Sequence, residues 1–184
     1  MMDNTPPVTK NLIIINILCF FAAIVAEKYG VDLNDVLGLH YFESDKFRLY
    51  QLFTYMFMHS GFEHIFFNMF AVWMFGRVLE TVWGSQRFLF YYVLCGMGAG
   101  LVQEVTQYIE FIPYMADMAQ LSTYAPEAVI PINGTTHTAA QWLTMYERVI
   151  SVPTVGASGA VYAILMAFGM LFPNQELFIF PLPM

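Results

Sequence analysis

Most apolar residues of this chain do not alternate with polar ones; they run. Four nearly unbroken hydrophobic stretches, 12–26, 65–79, 88–105 and 155–172, are separated by mixed sequence. A fifth begins at Leu177 and is cut off at Met184. A helix that crosses a bilayer needs about 20 apolar residues. With their flanking residues the four stretches supply spans at roughly 11–27, 63–80, 87–106 and 155–172. Backbone groups in lipid must be satisfied within their own segment, which selects helices, whereas the strands of a barrel would alternate polar and apolar residues. The pattern therefore predicts an all-α fold, a polytopic helical membrane bundle, read as a single domain over 1–184 that is incomplete at its C-terminus. The first run could pass for a signal peptide, since Ala22, Ala23 and Ala26 close it and Lys10 precedes it. Three further spans and a basic region of one lysine argue against that.

Two long segments, 27–61 and 106–152, join the spans on one side, taken as the outer side. "YQLFTYMFMH" in the first is too oily for a free loop and is expected partly in the membrane interface. In "TAAQWLTMYERVIS", Trp142, Leu143, Tyr146, Val149 and Ile150 recur at helical spacing. This predicts an amphipathic helix lying on the membrane or on the protein. "NGT" at Asn133 fits a glycosylation sequon, but a plain Asn-Gly turn is the preferred reading.

Composition agrees with the pattern: 58% hydrophobic, 17% aromatic and only 11% charged, too apolar for an ordinary soluble domain. Charge then orients the chain. With residue 1 inside, the inner segments carry Asp3, Lys10, Arg77, Glu80, Arg87 and Glu176, which cancel, so the net charge of −7 falls outside. Arg77 and Arg87 in one short inner turn favour that orientation. Cys19 and Cys95 both lie inside predicted spans; they offer neither a disulfide framework nor metal-ligand spacing and are expected to be buried apolar filler.

Polar residues inside spans carry the candidate chemistry. "HSGFEHIFFNMF" sets His64 and Asn68 four residues apart, on one face near the outer end of the second span. The plain alternative is an interhelical hydrogen-bonding pair. His59 reads as loop packing, and nothing distinguishes His40 or His137. In "VGASGAVYAILMAFG", Ser158 stands between Gly156 and Gly159 where the fourth span begins. Gly156, Gly159, Ala160, Ala163 and Ala167 form a small-residue stripe that calls for a close helix partner. Ser158 in a first turn could be a cap, or a nucleophile beside unsatisfied N–H donors that can hold an oxyanion.

Taken together, "GASGAVY", "HIFFN" and "LETVWGSQRFLFYYVLCGMGAG" resemble the rhomboid family of intramembrane serine proteases, from about Tyr50 to Phe172. The resemblance implies a rhomboid-like bundle of which this chain holds four of six transmembrane helices and the start of a fifth, with a water-filled cavity open to the outer side. It implies Ser158 as nucleophile, His64 and Asn68 as oxyanion support, and Gly156 and Gly159 as the glycines shaping the turn. Tyr162 would be the aromatic on which the catalytic histidine rests, and Glu80 with "WGS" at Trp83 a structural turn. The implied activity is cleavage of transmembrane protein substrates within or near their spans by a Ser-His dyad. No metal, cofactor or nucleic acid is expected, and the location implied is a bacterial inner membrane. The sequence departs from the family twice. Tyr50-Gln51 stands where Trp-Arg is usual, which should affect packing more than chemistry. The family's general base, on the sixth helix, would lie beyond Met184, so this chain alone should be inert, with its small-residue stripe left facing lipid. The alternative is a non-catalytic rhomboid-like protein that binds transmembrane clients. A transporter fragment would need charges mid-span, and only Glu104, near an end, comes close.

Overall fold

A computed structural model describes residues 5–121, 123–132 and 134–175. The fifth apolar run from Leu177, Asn133 of the sequon, the Val149 side chain, and Asp3 and Glu176 of the inner charges lie outside what is described. The fold is mainly helical: α1 (Pro7–Lys28), α2 (Leu33–Leu37), α3 (Gln51–Thr54), α4 (Phe62–Trp83), α5 (Ser85–Leu121), α6 (Ala139–Ser151) and α7 (Ser158–Leu171), with one hairpin, β1 (Val129–Ile132) and β2 (Thr135–Thr138). Three segments, α1, α4 and the Ser85–Glu110 part of α5, are long and apolar enough to cross a membrane, and α7 is a shorter apolar helix. An all-α membrane bundle is what the chain forms, with the hairpin as a small outer addition.

The core lies where α1, α4, α5 and α7 meet and includes Leu12, Val72, Leu79, Phe88, Tyr92, Ala160 and Ile164. The N-terminus of α1 is anchored there by a carboxyl group. Glu80, 2% exposed, accepts hydrogen bonds from the Val8 and Thr9 N–H groups at 2.9 and 2.7 Å, from the Thr9 hydroxyl at 2.8 Å and from the Ser85 hydroxyl at 2.7 Å. The first N–H groups of a helix have no intrahelical acceptor and sit at its positive end. Glu80 thus caps one span from another and holds the turn at Gly84, whose φ of +80° suits glycine. Glu80→Ala would leave these donors buried without acceptors, so it should cost about 3 kcal/mol or more of stability. Unfolding in detergent should show this loss, with a smaller one in Glu80→Gln; equal stability of the alanine variant would contradict it.

The outer segment before α4 is inside the protein. Tyr55, Met56 and Met58 of "YQLFTYMFMH" are buried in the bundle rather than at its rim, and the Tyr55 hydroxyl donates to the Gly96 carbonyl of α5 at 2.6 Å. Gly96 and Gly100 make room: a Cβ on Gly100 would come within 3.2 Å of Tyr55 and Leu39, and one on Gly96 would overlap Met56. Gln51 ties the rest of the segment together. Its amide nitrogen donates to the carbonyls of Val36 and Lys46 at 3.2 and 3.0 Å, and its oxygen accepts from Arg48 N–H at 3.0 Å. The Tyr50-Gln51 departure is thus a packing and hydrogen-bonding matter.

Two expectations need correction, and the third span gains an extension. The membrane-length part of α5 is Ser85–Glu110, but the helix continues to Leu121, about 55 Å in all, well past a bilayer core of ~30 Å. The outer segment that follows is a hairpin and a helix with their own small core of Leu121, Ile132, Ala139 and Trp142. The amphipathic helix α6 lies on the protein: Trp142 is buried and its indole N–H donates to the Ile130 carbonyl at 3.0 Å. The small-residue stripe of α7 does not face lipid either. A Cβ on Gly159 would collide with Ala99 Cβ, so this stripe packs on α5, the two glycine- and alanine-rich helices bringing their backbones together. Finally, Cys19 and Cys95 are free thiols as expected, but only half-buried.

Candidate active site

Two backbone connections deliver the chain to α7. Leu39 and Thr154 exchange N–H to carbonyl bonds at 2.9 and 2.8 Å, and Gly156 N–H donates to the Tyr55 carbonyl at 2.9 Å. The extended segment 152–157 is therefore fastened to the buried outer segment just before the helix starts. Ala157 precedes the helix, and no side-chain hydrogen bond caps it. Capping thus does not explain Ser158, whose hydroxyl bonds to no other described residue. The first intrahelical bond runs from Val161 N–H to the Ala157 carbonyl at 3.0 Å. The N–H groups ahead of Val161 remain donors without a helical acceptor.

Gly156 has φ +123°, a conformation that favours glycine. A Cβ there would lie 2.6 Å from His64 Cε1 and Nε2 and 3.7 Å from Ser158 Oγ. The Cε1–Nε2 edge of the His64 ring therefore rests on the glycine's bare α-carbon, and Ser158 Oγ borders the same space. Its other nitrogen, Nδ1, is 3.1 Å from Ser60 Oγ. One turn along α4, Asn68 is 6% exposed, and its Nδ2 has no hydrogen-bond partner among the described residues. A buried amide donor without an acceptor is costly unless something else fills that place.

Of the sequence-predicted residues, the structure brings Ser158, Gly156 and His64 to one point and sets Asn68 a turn below His64. Tyr162 is apart from them. It projects from the outward face of α7, 73% exposed, with Met166 and Met170 below it on the same face. His40 is buried in the outer segment, its Nε2 2.7 Å from the Asp35 carbonyl, and His137 packs edge-on to Trp142 in the outer hairpin.

Sequence reasoning missed two neighbours of His64. Ser60 is one. The other is His59, 3% exposed, its ring edge-to-face with His64 at 5.0 Å. Burial first, and then the adjacent His64, push its pKa down to about 4, with only the Phe57 backbone pulling the other way. The ring is thus neutral in the folded protein. Between pH 6.5 and about 4 the unfolded chain takes up a proton that the folded chain refuses, so stability should fall as pH drops through that window. Unfolding measured across it should show this slope, and His59→Phe should flatten it; an unchanged slope would assign it to other groups. The signal for both residues was present in "HSG", where a histidine and a hydroxyl directly precede a membrane helix.

With this geometry in view, the comparisons with known proteins are direct. The family model described as Rhomboid domain matches residues 46–110, from the outer segment through α4 and the whole membrane-length part of α5. Rhomboid protein 1, mitochondrial, of Saccharomyces cerevisiae is 28% identical over 129 residues, 69% of this chain and 27% of that protein. Rhomboid protease GluP of Bacillus subtilis is 28% identical over 128 residues, 69% of this chain and 22% of that protein.

The chain thus carries a Rhomboid domain match and is similar to rhomboid proteins over about two thirds of its length. It spans about a quarter of the length of these two relatives. With that match and three membrane-length apolar helices among the described residues, it is an integral, multi-pass membrane protein. The matched region carries His59, Ser60, His64, Asn68 and Glu80, and Ser158 lies beyond it.

Proposed function

We propose that this protein is a rhomboid-type intramembrane serine endopeptidase that cleaves other membrane proteins within or near their transmembrane segments. The observation that carries the proposal is the uncapped Ser158 hydroxyl, at the open N-terminus of an apolar helix, facing His64 across Gly156. Ser158 Oγ attacks the scissile carbonyl carbon, and its proton passes to an imidazole base and then to the leaving amine. The oxygen that gains charge accepts from the free N–H groups opening α7, from His64 Nε2–H and from the unpartnered Asn68 amide. Water then releases the acyl group by the reverse route.

The base is a histidine other than those of the described residues. His40 is held by Asp35, His137 belongs to the outer hairpin, burial lowers His59 to a pKa of about 4 and leaves it a weak base, and His64 serves the oxyanion. Tyr162, exposed one turn below Ser158, offers the flat surface on which such a ring would rest. α7 is about 21 Å long against ~30 Å for the hydrocarbon core, so a span ending at Ser158 holds its hydroxyl below the membrane surface. The same reading puts residue 1 on the cytoplasmic side of a bacterial inner membrane and opens the site outward, in keeping with Arg77 and Arg87 in the short inner turn.

The test is cleavage of a model single-span substrate by the complete protein in proteoliposomes, with the new termini mapped. Termini within or beside the substrate's span are expected. A folded protein that retains the substrate in a stable complex without cutting it would instead mark a client-binding protein.

A further inference from the structure

We propose that Ser60 is a positioning residue that sets the tautomer of His64, so that the proton of the ring is carried on Nε2 and points at the reaction centre. The inference rests on the reading of His64 as an oxyanion donor. A neutral imidazole has one N–H donor and one bare acceptor nitrogen, and the partner of one nitrogen decides which is which. His64 Nε2 lies against the bare α-carbon of Gly156, a space that Ser158 Oγ also borders, whereas Nδ1 has the Ser60 hydroxyl at 3.1 Å. A hydroxyl can rotate to donate. When Ser60 donates to Nδ1, the proton of the ring is confined to Nε2.

The opposite tautomer would be worse than neutral. It would turn a lone pair toward the place where negative charge develops, beside the Asn68 amide that is ready to donate there. Other contacts of the ring do not choose between the two forms. His59 touches His64 edge to face at 5.0 Å and orients the ring plane without bonding to either nitrogen. Gly156 shapes the space and offers no acceptor to Nε2. Among the described residues Ser60 is the group placed to decide. Its position suits this role, because it precedes α4 by two residues. The extended Gly61 (φ 179°) then turns the chain so that a side chain outside the helix reaches back to one in its first turn.

The experiment combines kinetics with nitrogen spectroscopy on the complete protein. In ¹⁵N-histidine-labelled protein, the His64 signals (assigned by their loss in His64→Asn) should show a protonated Nε2 and an unprotonated, hydrogen-bonded Nδ1 at mildly alkaline pH. Ser60→Ala should shift the ring toward a mixture of tautomers. It should lower kcat about three- to tenfold, the worth of one hydrogen bond, with KM and thermal stability unchanged. Ser60→Thr, which keeps the hydroxyl, should restore both the spectrum and the rate. An unchanged nitrogen pattern in Ser60→Ala, an unchanged kcat, or a wild-type His64 protonated on Nδ1 would each overturn the proposal. If the wild-type protein cleaves nothing, the protease reading fails, while the spectra still decide whether Ser60 sets the tautomer.

Discussion

Replacing Ser158 by alanine should abolish proteolysis by the complete protein, a loss of at least about 10³-fold, while Ser151→Ala leaves the rate near wild type. The two serines lie seven positions apart on the same approach to α7 but in different chemistry. The Ser151 hydroxyl donates to the Glu147 carbonyl within α6. The Ser158 hydroxyl is free, lies at the open end of α7 and has the His64 imidazole across Gly156. The alanine variant loses only an oxygen that bonds to no other described residue, so its stability should be unchanged. Lost activity can then be assigned to chemistry. Undiminished cleavage by Ser158→Ala would sink the mechanism.

Asn68→Ala should lower kcat by about 10²–10³, the usual effect of removing one oxyanion donor, with KM little changed. The stability effect should be small, for a structural reason. Asn68 Nδ2 has no partner among the described residues, so its removal breaks no bond there and relieves a buried donor of its desolvation cost. The interhelical-pair reading of the same residue makes the opposite forecast, a variant that unfolds readily while its folded fraction keeps its kcat. Rate and melting temperature of one variant therefore separate the two.

The helices that span were legible because a bilayer imposes a length and a composition that ordinary core helices do not share. Residues 11–27 and 63–80 fall inside α1 and α4, and both helices run somewhat further because Glu80 caps α1 at Val8 and Thr9 and Gly84 lets α4 reach Trp83. The end of α5 was not legible. What α5 meets at Leu121 is the hairpin and Trp142, a tertiary contact invisible to periodicity. A stripe of small residues predicts close approach without naming the partner, and Ala99 became identifiable only once α5 and α7 were set side by side.

Within the candidate site, Ser158, His64, Asn68 and Gly156 were named from their spacing, since a hydroxyl, an imidazole and an amide at the outer ends of apolar spans are rare enough to stand out. Ser60 and His59 were not, because both precede the helix and look like loop residues until the fold packs them against His64. Tyr55 was hidden for a similar reason. Its value lies in a side-chain bond to Gly96 and a backbone bond from Gly156, which join α5 to the approach to Ser158. Neither is encoded by local pattern.

The central claim is that Ser158 is an activated nucleophile, and the most direct measurement is covalent capture. The complete protein, in detergent or proteoliposomes, is treated with a serine-directed fluorophosphonate, digested and mapped by mass spectrometry. The phosphonyl adduct is expected on the peptide that contains Gly156-Ala157-Ser158-Gly159, fragmenting at Ser158, and absent from Ser158→Ala. A folded protein that takes up no probe, or takes it up on another residue with Ser158 unmodified, would contradict the account.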